Sequence, residues 1–168
     1  AALGTDLRGP GPVRFAPYLS GERTTHNDAN VRGGFAGLST NTTVQDMTQA
    51  VLEGVCFGLR DGAEAIGSLG AGFEALYAIG GGAASRYWLE MLATVLNTPL
   101  HIPAGQEFGA ALGAARLGII AATGMAVEDV MTAPETSEVT LPNARLVPEY
   151  DAAYSQFRRL YPALKTLG

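Results

Sequence analysis

The stretch Leu76-Tyr77-Ala78-Ile79-Gly80-Gly81-Gly82-Ala83-Ala84-Ser85 runs from an apolar strand through three glycines into the start of a helix. Residues without side chains let successive backbone N–H groups point at one anion, beside the positive end of the following helix dipole. A tight structural corner has the same composition, so from these residues alone both roles stay open. A dinucleotide fingerprint does not fit. Its third glycine would fall on Ser85, and the next apolar run, Leu100-His101-Ile102-Pro103, carries no acid to hold a ribose. No Gly-Lys-Ser or Gly-Lys-Thr occurs, which removes the Walker loop as well. What remains is a phosphate turn made of backbone.

Working outward, the pattern alternates: strand Glu74 to Ile79, helix Ser85 to Leu96, strand Pro99 to Ile102, helix Phe108 to Ala122. This βαβα order predicts an α/β domain with a mainly parallel sheet flanked by helices. Ligands in such sheets sit beyond the carboxyl ends of the strands, where Gly80, Gly81 and Gly82 lie. Upstream, Thr43 and Asp46 form a capping-box pattern, and apolar residues from Val44 to Leu69 follow a helical period, predicting one helix from Thr43 to Ser68. Gly54, Gly58 and Gly62 share a face of it, each at a cost of roughly 1 kcal/mol of helix propensity, so a neighbour must pack close there. Residues 1–12 form a Gly- and Pro-rich leading segment, and residues 13–168 the domain proper. Val13 to Leu19 reads as a strand, Ser20 to Asn30 as a polar loop, and Gly33 to Leu38 as a short extended piece. A Pro-containing connection follows Thr123, and Tyr150 to Leu164 reads as one amphipathic helix.

At 168 residues the chain has the size of one domain. Hydrophobic residues at 47% against 16% charged argue against disorder, and Glu53, Arg60 and Arg116 break the longest apolar runs short of a bilayer span. A net charge of -5 disfavours a nucleic-acid surface, so a bound phosphate must be held locally. Cys56 is the single cysteine; it has no internal disulfide partner, its apolar neighbours predict a buried thiol, and a reducing cytoplasm is the simplest compartment. Asn41-Thr42-Thr43 matches a glycosylation sequon by chance.

Three segments in order carry a resemblance: Pro17-Tyr18-Leu19-Ser20-Gly21-Glu22-Arg23-Thr24, Arg32-Gly33-Gly34-Phe35-Ala36-Gly37-Leu38, and Ala50-Val51-Leu52-Glu53-Gly54-Val55. From about Phe15 to Tyr161 the chain resembles the C-terminal half of the FGGY carbohydrate kinases, most nearly their xylulose-phosphorylating branch. Gly80-Gly81-Gly82-Ala83 is similar to the adenosine-binding turn of that family, and Gly109 to Ala115 to its last core helix. The resemblance implies part of an actin-like (ribonuclease H-like) ATPase domain that closes over ATP, magnesium and a small sugar and transfers the γ-phosphoryl group to a sugar hydroxyl. The catalytic aspartate and most sugar contacts would belong to an N-terminal half absent here, so the chain carries no catalytic residue and is not active alone. Other members acting on glycerol, gluconate or ribulose stay open as alternatives, as does a non-catalytic actin-like nucleotide-binding module. The expected partners are the sugar and a second copy in a homodimer, with neither nucleic acid nor membrane.

The resemblance further implies that Gly81 and Gly82 approach the α-phosphate through backbone and that Ala83 keeps the path free of bulk; Arg86 either contacts adenine or sits in solvent near the helix start. Glu22, Arg23 and His26 either face the domain cleft or shape their loop through an internal salt bridge; Thr25 stands where the related loop has proline. Glu53 and Asp61 are acids on the long helix, where a magnesium role stands against the ordinary one of solvation or pairing; the ordinary role is preferred and no metal site is expected. His101 alternates outward from its strand.

Overall fold

The computed structural model describes residues 3–70, 73, 75–104 and 109–167. Strands β1 (Arg14–Ala16) and β2 (Gly34–Ala36) form an antiparallel pair, with Phe15 opposite Phe35. The strand expected from Val13 to Leu19 is short because Pro17 has no N–H to give to a ladder.

Helix α1 (Val44–Ser68) starts at the predicted cap: Thr43 Oγ1 accepts from the Asp46 N–H, and the Asp46 carboxylate accepts from the Thr43 N–H. β1 and the chain after it cross the glycine face. A Cβ on Gly54 would overlap the Phe15 carbonyl oxygen, whereas at Gly58 and Gly62 it would meet Pro17 at 3.7 Å and Thr24 at 3.8 Å, ordinary contacts. Close approach therefore requires glycine at Gly54 alone of the three.

The side of α1 turned inward is partly polar. Gln49, Glu53 and Asp61 are buried beside Ala50, Cys56 and Phe57, while the apolar residues Val51, Leu59 and Ile66 stay 36–49% exposed. Glu53 is satisfied by three donors: the Gly11 N–H at 2.9 Å, Gln49 Nε2 at 2.7 Å and Arg14 Nη1 at 3.0 Å. Gln49 also donates to the Gly9 carbonyl at 2.8 Å, and the Tyr150 hydroxyl to the Arg8 carbonyl at 2.9 Å. The leading segment thus lacks regular structure but is stitched into the core by buried hydrogen bonds.

A second sheet has the order β3 (Leu76–Tyr77), β4 (Leu100–Pro103), β5 (Thr136–Thr140). β3 and β4 are parallel and joined through α2 (Arg86–Leu96), the βα unit the sequence predicts; Glu74, the expected strand start, lies outside the described residues. β5 runs antiparallel to β4. Among the described residues the sheet is therefore mixed rather than mainly parallel, with a strand inside what read as a connection. Thr136-Ser137-Glu138-Val139-Thr140 is an edge strand, mostly exposed, and so carries no hydrophobic alternation.

Helix α3 (Gly109–Thr123) buries none of its side chains; the start expected at Phe108 lies outside the described residues. A short helix α4 (Val127–Val130) follows. The expected single C-terminal helix is two, α5 (Val147–Phe157) and α6 (Leu160–Lys165). Pro162 cannot donate to the carbonyl four residues back, which removes the bond that would bridge them. The main core joins α1, α2 and α5 through Phe57, Met91, Val95, Tyr150, Tyr154 and Phe157.

Candidate functional site

β3 ends against β4, where the Ala78 N–H donates to the His101 carbonyl at 2.9 Å. The chain then reverses at Gly80, whose φ of 86° with ψ of -179° is open only to glycine. Gly81–Ala84 form a single 3-10 turn, and Ser85 caps α2 by accepting the Trp88 N–H on its hydroxyl. The first N–H groups of such a turn have no partner within it, and here they lie at the carboxyl end of a parallel strand.

The four residues singled out in the sequence come together on this turn with different surroundings. Among the described residues nothing lies within 4 Å of where a Cβ on Gly81 would stand. At Gly82 the Trp88 ring occupies that place. Ala83 is buried in a cluster with Leu89, Ala93, Leu100 and Ile102, so its small side chain serves packing between α2 and the sheet. Arg86 is exposed, and its guanidinium pairs with Glu138 of β5 at 2.5 Å, which holds the charge of Arg86 more firmly than usual.

Behind the turn opens a cavity of about 700 Å³, lined chiefly by apolar side chains. α1 contributes Gly58, Leu59 and Gly62, the sheet contributes Leu76, and the polar loop brings Glu22 and Arg23 to the same cavity. Bringing that loop next to the glycine turn is a result of the fold that local sequence does not reveal.

Within the loop the Glu22 carboxylate accepts from three backbone N–H groups, those of Thr24 at 2.9 Å, Thr25 at 3.2 Å and His26 at 2.6 Å. Partial burial opposes ionisation, but these donors win and hold the carboxyl below the usual range. Backbone hydrogen bonds shape the loop; of its two readings, the internal salt bridge does not form among the described residues. Glu22 and Asp28 exchange backbone bonds at 2.8 and 2.7 Å, and the His26 ring stacks on Tyr161 with centroids 3.5 Å apart.

The remaining candidates stand away from the turn. Glu53 is held as described, and burial first of all pushes its carboxyl above the usual range despite the three donors. Asp61 accepts the Tyr154 hydroxyl at 2.5 Å, and burial likewise raises its pKa. His101 Nδ1 lies 3.2 Å from Thr136 Oγ1 on β5. Among the described residues no three His, Cys, Asp or Glu side chains gather as a metal-ligand set. Cys56 is wholly buried as predicted, and burial pushes its thiol up to about 12. No helix of the described residues is long and apolar enough to cross a membrane.

Two site residues escape sequence reading, Glu138 and Trp88. The signal for Trp88 was present: it is the third residue after the Ser85 cap, and side chains in a first helical turn lean back towards the N-terminus.

The sequence model of the FGGY family of carbohydrate kinases, C-terminal domain, matches residues 4–122. The xylulose kinase of Escherichia coli (strain K12) is 40% identical over 157 residues, 93% of this chain and 32% of that protein. Among solved structures, a xyloylose kinase from Brucella ovis is 49% identical with a TM-score of 0.88, covering 99% of this chain and 35% of its own. A xylulose kinase from Rhodospirillum rubrum is 29% identical with a TM-score of 0.79, covering 98% and 33%. The chain therefore spans about a third of the length of these relatives.

Proposed function

We infer the function from a firm premise: the chain belongs to the FGGY family of carbohydrate kinases. It is the ATP-binding C-terminal part of a kinase that transfers the γ-phosphoryl group of ATP to D-xylulose, giving xylulose 5-phosphate. The observation that carries this is the glycine turn at the carboxyl end of β3, with a bare face at Gly81 that accepts a phosphate oxygen without displacing any side chain. The xylulose label is supported by 40% identity to the Escherichia coli xylulose kinase across most of this chain.

In this reading the Gly81 and Gly82 N–H groups meet the α-phosphate, Ala83 supports the turn from inside, and Arg86 turns from Glu138 to the adenine. Magnesium enters with the nucleotide and neutralises phosphate charge. The base that accepts the hydroxyl proton, and most of the sugar pocket, belong to the two thirds of the relatives' length beyond this chain, in an actin-like partner domain. The lone buried thiol of Cys56 fits a cytoplasmic protein.

The test is made on the full-length kinase. MgATP or MgADP titrated by calorimetry must give binding, and a panel of pentuloses and polyols must include D-xylulose among the phosphorylated sugars; no nucleotide binding overturns the turn, and no xylulose turnover overturns the label. Gly81→Asp is the sharper probe than a change at Gly82, because Gly82 is backed by Trp88 while Gly81 is open. Its carboxylate should raise the KM for ATP about tenfold by repelling phosphate, with thermal stability little changed.

A further inference from the structure

We propose that Trp88 is the positioning residue of the nucleotide-binding turn, a wedge that sets where the Gly82 N–H stands relative to α1. The proposal rests on the reading of that turn as an ATP site. Three glycines in succession have more backbone freedom to lose than any other tripeptide, so a turn built from them needs support from outside itself. Among the described residues Gly80 and Gly81 have none: nothing stands within 4 Å of a Cβ position at either. At Gly82 a Cβ would overlap Cζ3, Cε3 and Cη2 of the Trp88 ring, so the indole face lies against the glycine backbone.

The ring is itself held at both ends. Its backbone N–H donates to the Ser85 hydroxyl at 3.3 Å, which ties it to the helix cap. Its Nε1–H donates to the Sγ of Cys56 at 3.1 Å, and Cys56 is fully buried on α1. A rigid planar group thus bridges α1 to the one glycine of the three that, among the described residues, has a side chain against it. The same ring lines the cavity behind the turn together with Gly82.

The test uses the full-length kinase. Trp88→Ala should raise the KM for ATP about tenfold while the KM for the sugar moves less than about twofold, because a displaced phosphate donor costs nucleotide binding specifically. Trp88→Phe keeps a ring against Gly82 and should restore most of the ATP affinity. Gly82→Ala should be severely destabilising in the parent yet add little in the Trp88→Ala background, a non-additivity read in thermal unfolding without any nucleotide. An unchanged KM for ATP in Trp88→Ala, an equal rise in both KM values, or full additivity of Gly82→Ala and Trp88→Ala would each overturn the proposal. Failure of the parent enzyme to bind ATP would instead overturn the reading of the turn, and the thermal coupling would still decide whether Trp88 supports Gly82.

Discussion

The seam where α1 meets α5 and the leading segment, and the region of β3, the glycine turn and α3, treat polar and apolar groups in opposite ways. In the seam Glu53, Gln49 and Tyr150 are buried, and each is matched by another part of the same chain: Gly11, Arg14, Gly9 and Arg8. Around the turn Ile79 is 54% exposed, Leu117 and Ile119 on α3 are 60% and 44% exposed, and the groups on offer are bare backbone. The buried polar groups of the seam are matched within this chain; among the described residues the first N–H groups of the turn have no such partner. Unmatched backbone, rather than density of charged residues, distinguishes the turn from the seam.

That contrast can be broken at three points. Phe57 is fully buried between Tyr154 and Phe157, whose rings lie 5.8 and 5.4 Å away, so Phe57→Ala should cost about 3–5 kcal/mol by its cavity. Leu117→Ala on α3 should cost under about 0.5 kcal/mol in this chain. Urea unfolding of both variants checks it, and equal losses would erase the distinction between the regions. A smaller effect tests why the seam tolerates its acid. Because burial raises the Glu53 pKa, the folded chain holds that proton more tightly than the unfolded one. Its contribution is full below the ordinary value of 4.5 and is lost as pH rises through the higher folded value. The stability of the parent relative to Glu53→Gln should therefore shrink as pH rises from 4 upward; a gap that widens would mean that the Arg14 ion pair governs instead. The smallest effect concerns the turn. Glu138→Gln releases Arg86 and should lower the KM for ATP of the full-length kinase by less than about threefold, as an exposed ion pair allows. A rise would mean that the pair organises the site rather than occupying its arginine.

How much of this was legible depended on whether the deciding contact is local. The Thr43 and Asp46 cap and the strand-turn-helix around Gly80 are set by neighbours in sequence, and both appear where the pattern put them; of the three helix glycines the pattern marked, only Gly54 is required, and by the distant Phe15 carbonyl. β5 was hidden because an edge strand needs no buried face, and its residues carry almost no apolar signal. The α5–α6 break was visible in Pro162 but masked by the apolar period of Tyr154, Phe157, Leu160 and Tyr161 across it. In α1 the apolar period identified a helix correctly while misplacing its interior: the buried side carries Gln49, Glu53 and Asp61, whose partners include Gly11, 42 residues before Glu53, and Tyr154, 93 residues after Asp61. At the site the turn was readable, but the wedge of Trp88 against Gly82 and the pairing of Arg86 with Glu138 are tertiary facts.

The stack of His26 on Tyr161 carries a consequence for how the chain is made. The loop from Ser20 to Asn30 leaves the ribosome before α6, yet its aromatic anchor, and the Tyr161 hydroxyl that donates to Asp28 at 3.1 Å, are supplied by that helix. During vectorial synthesis these contacts cannot form until α6 has emerged. A stalled or truncated product would thus carry a capped α1 and a formed glycine turn beside an unanchored loop, and that loop is where a protease would report that translation had stopped short.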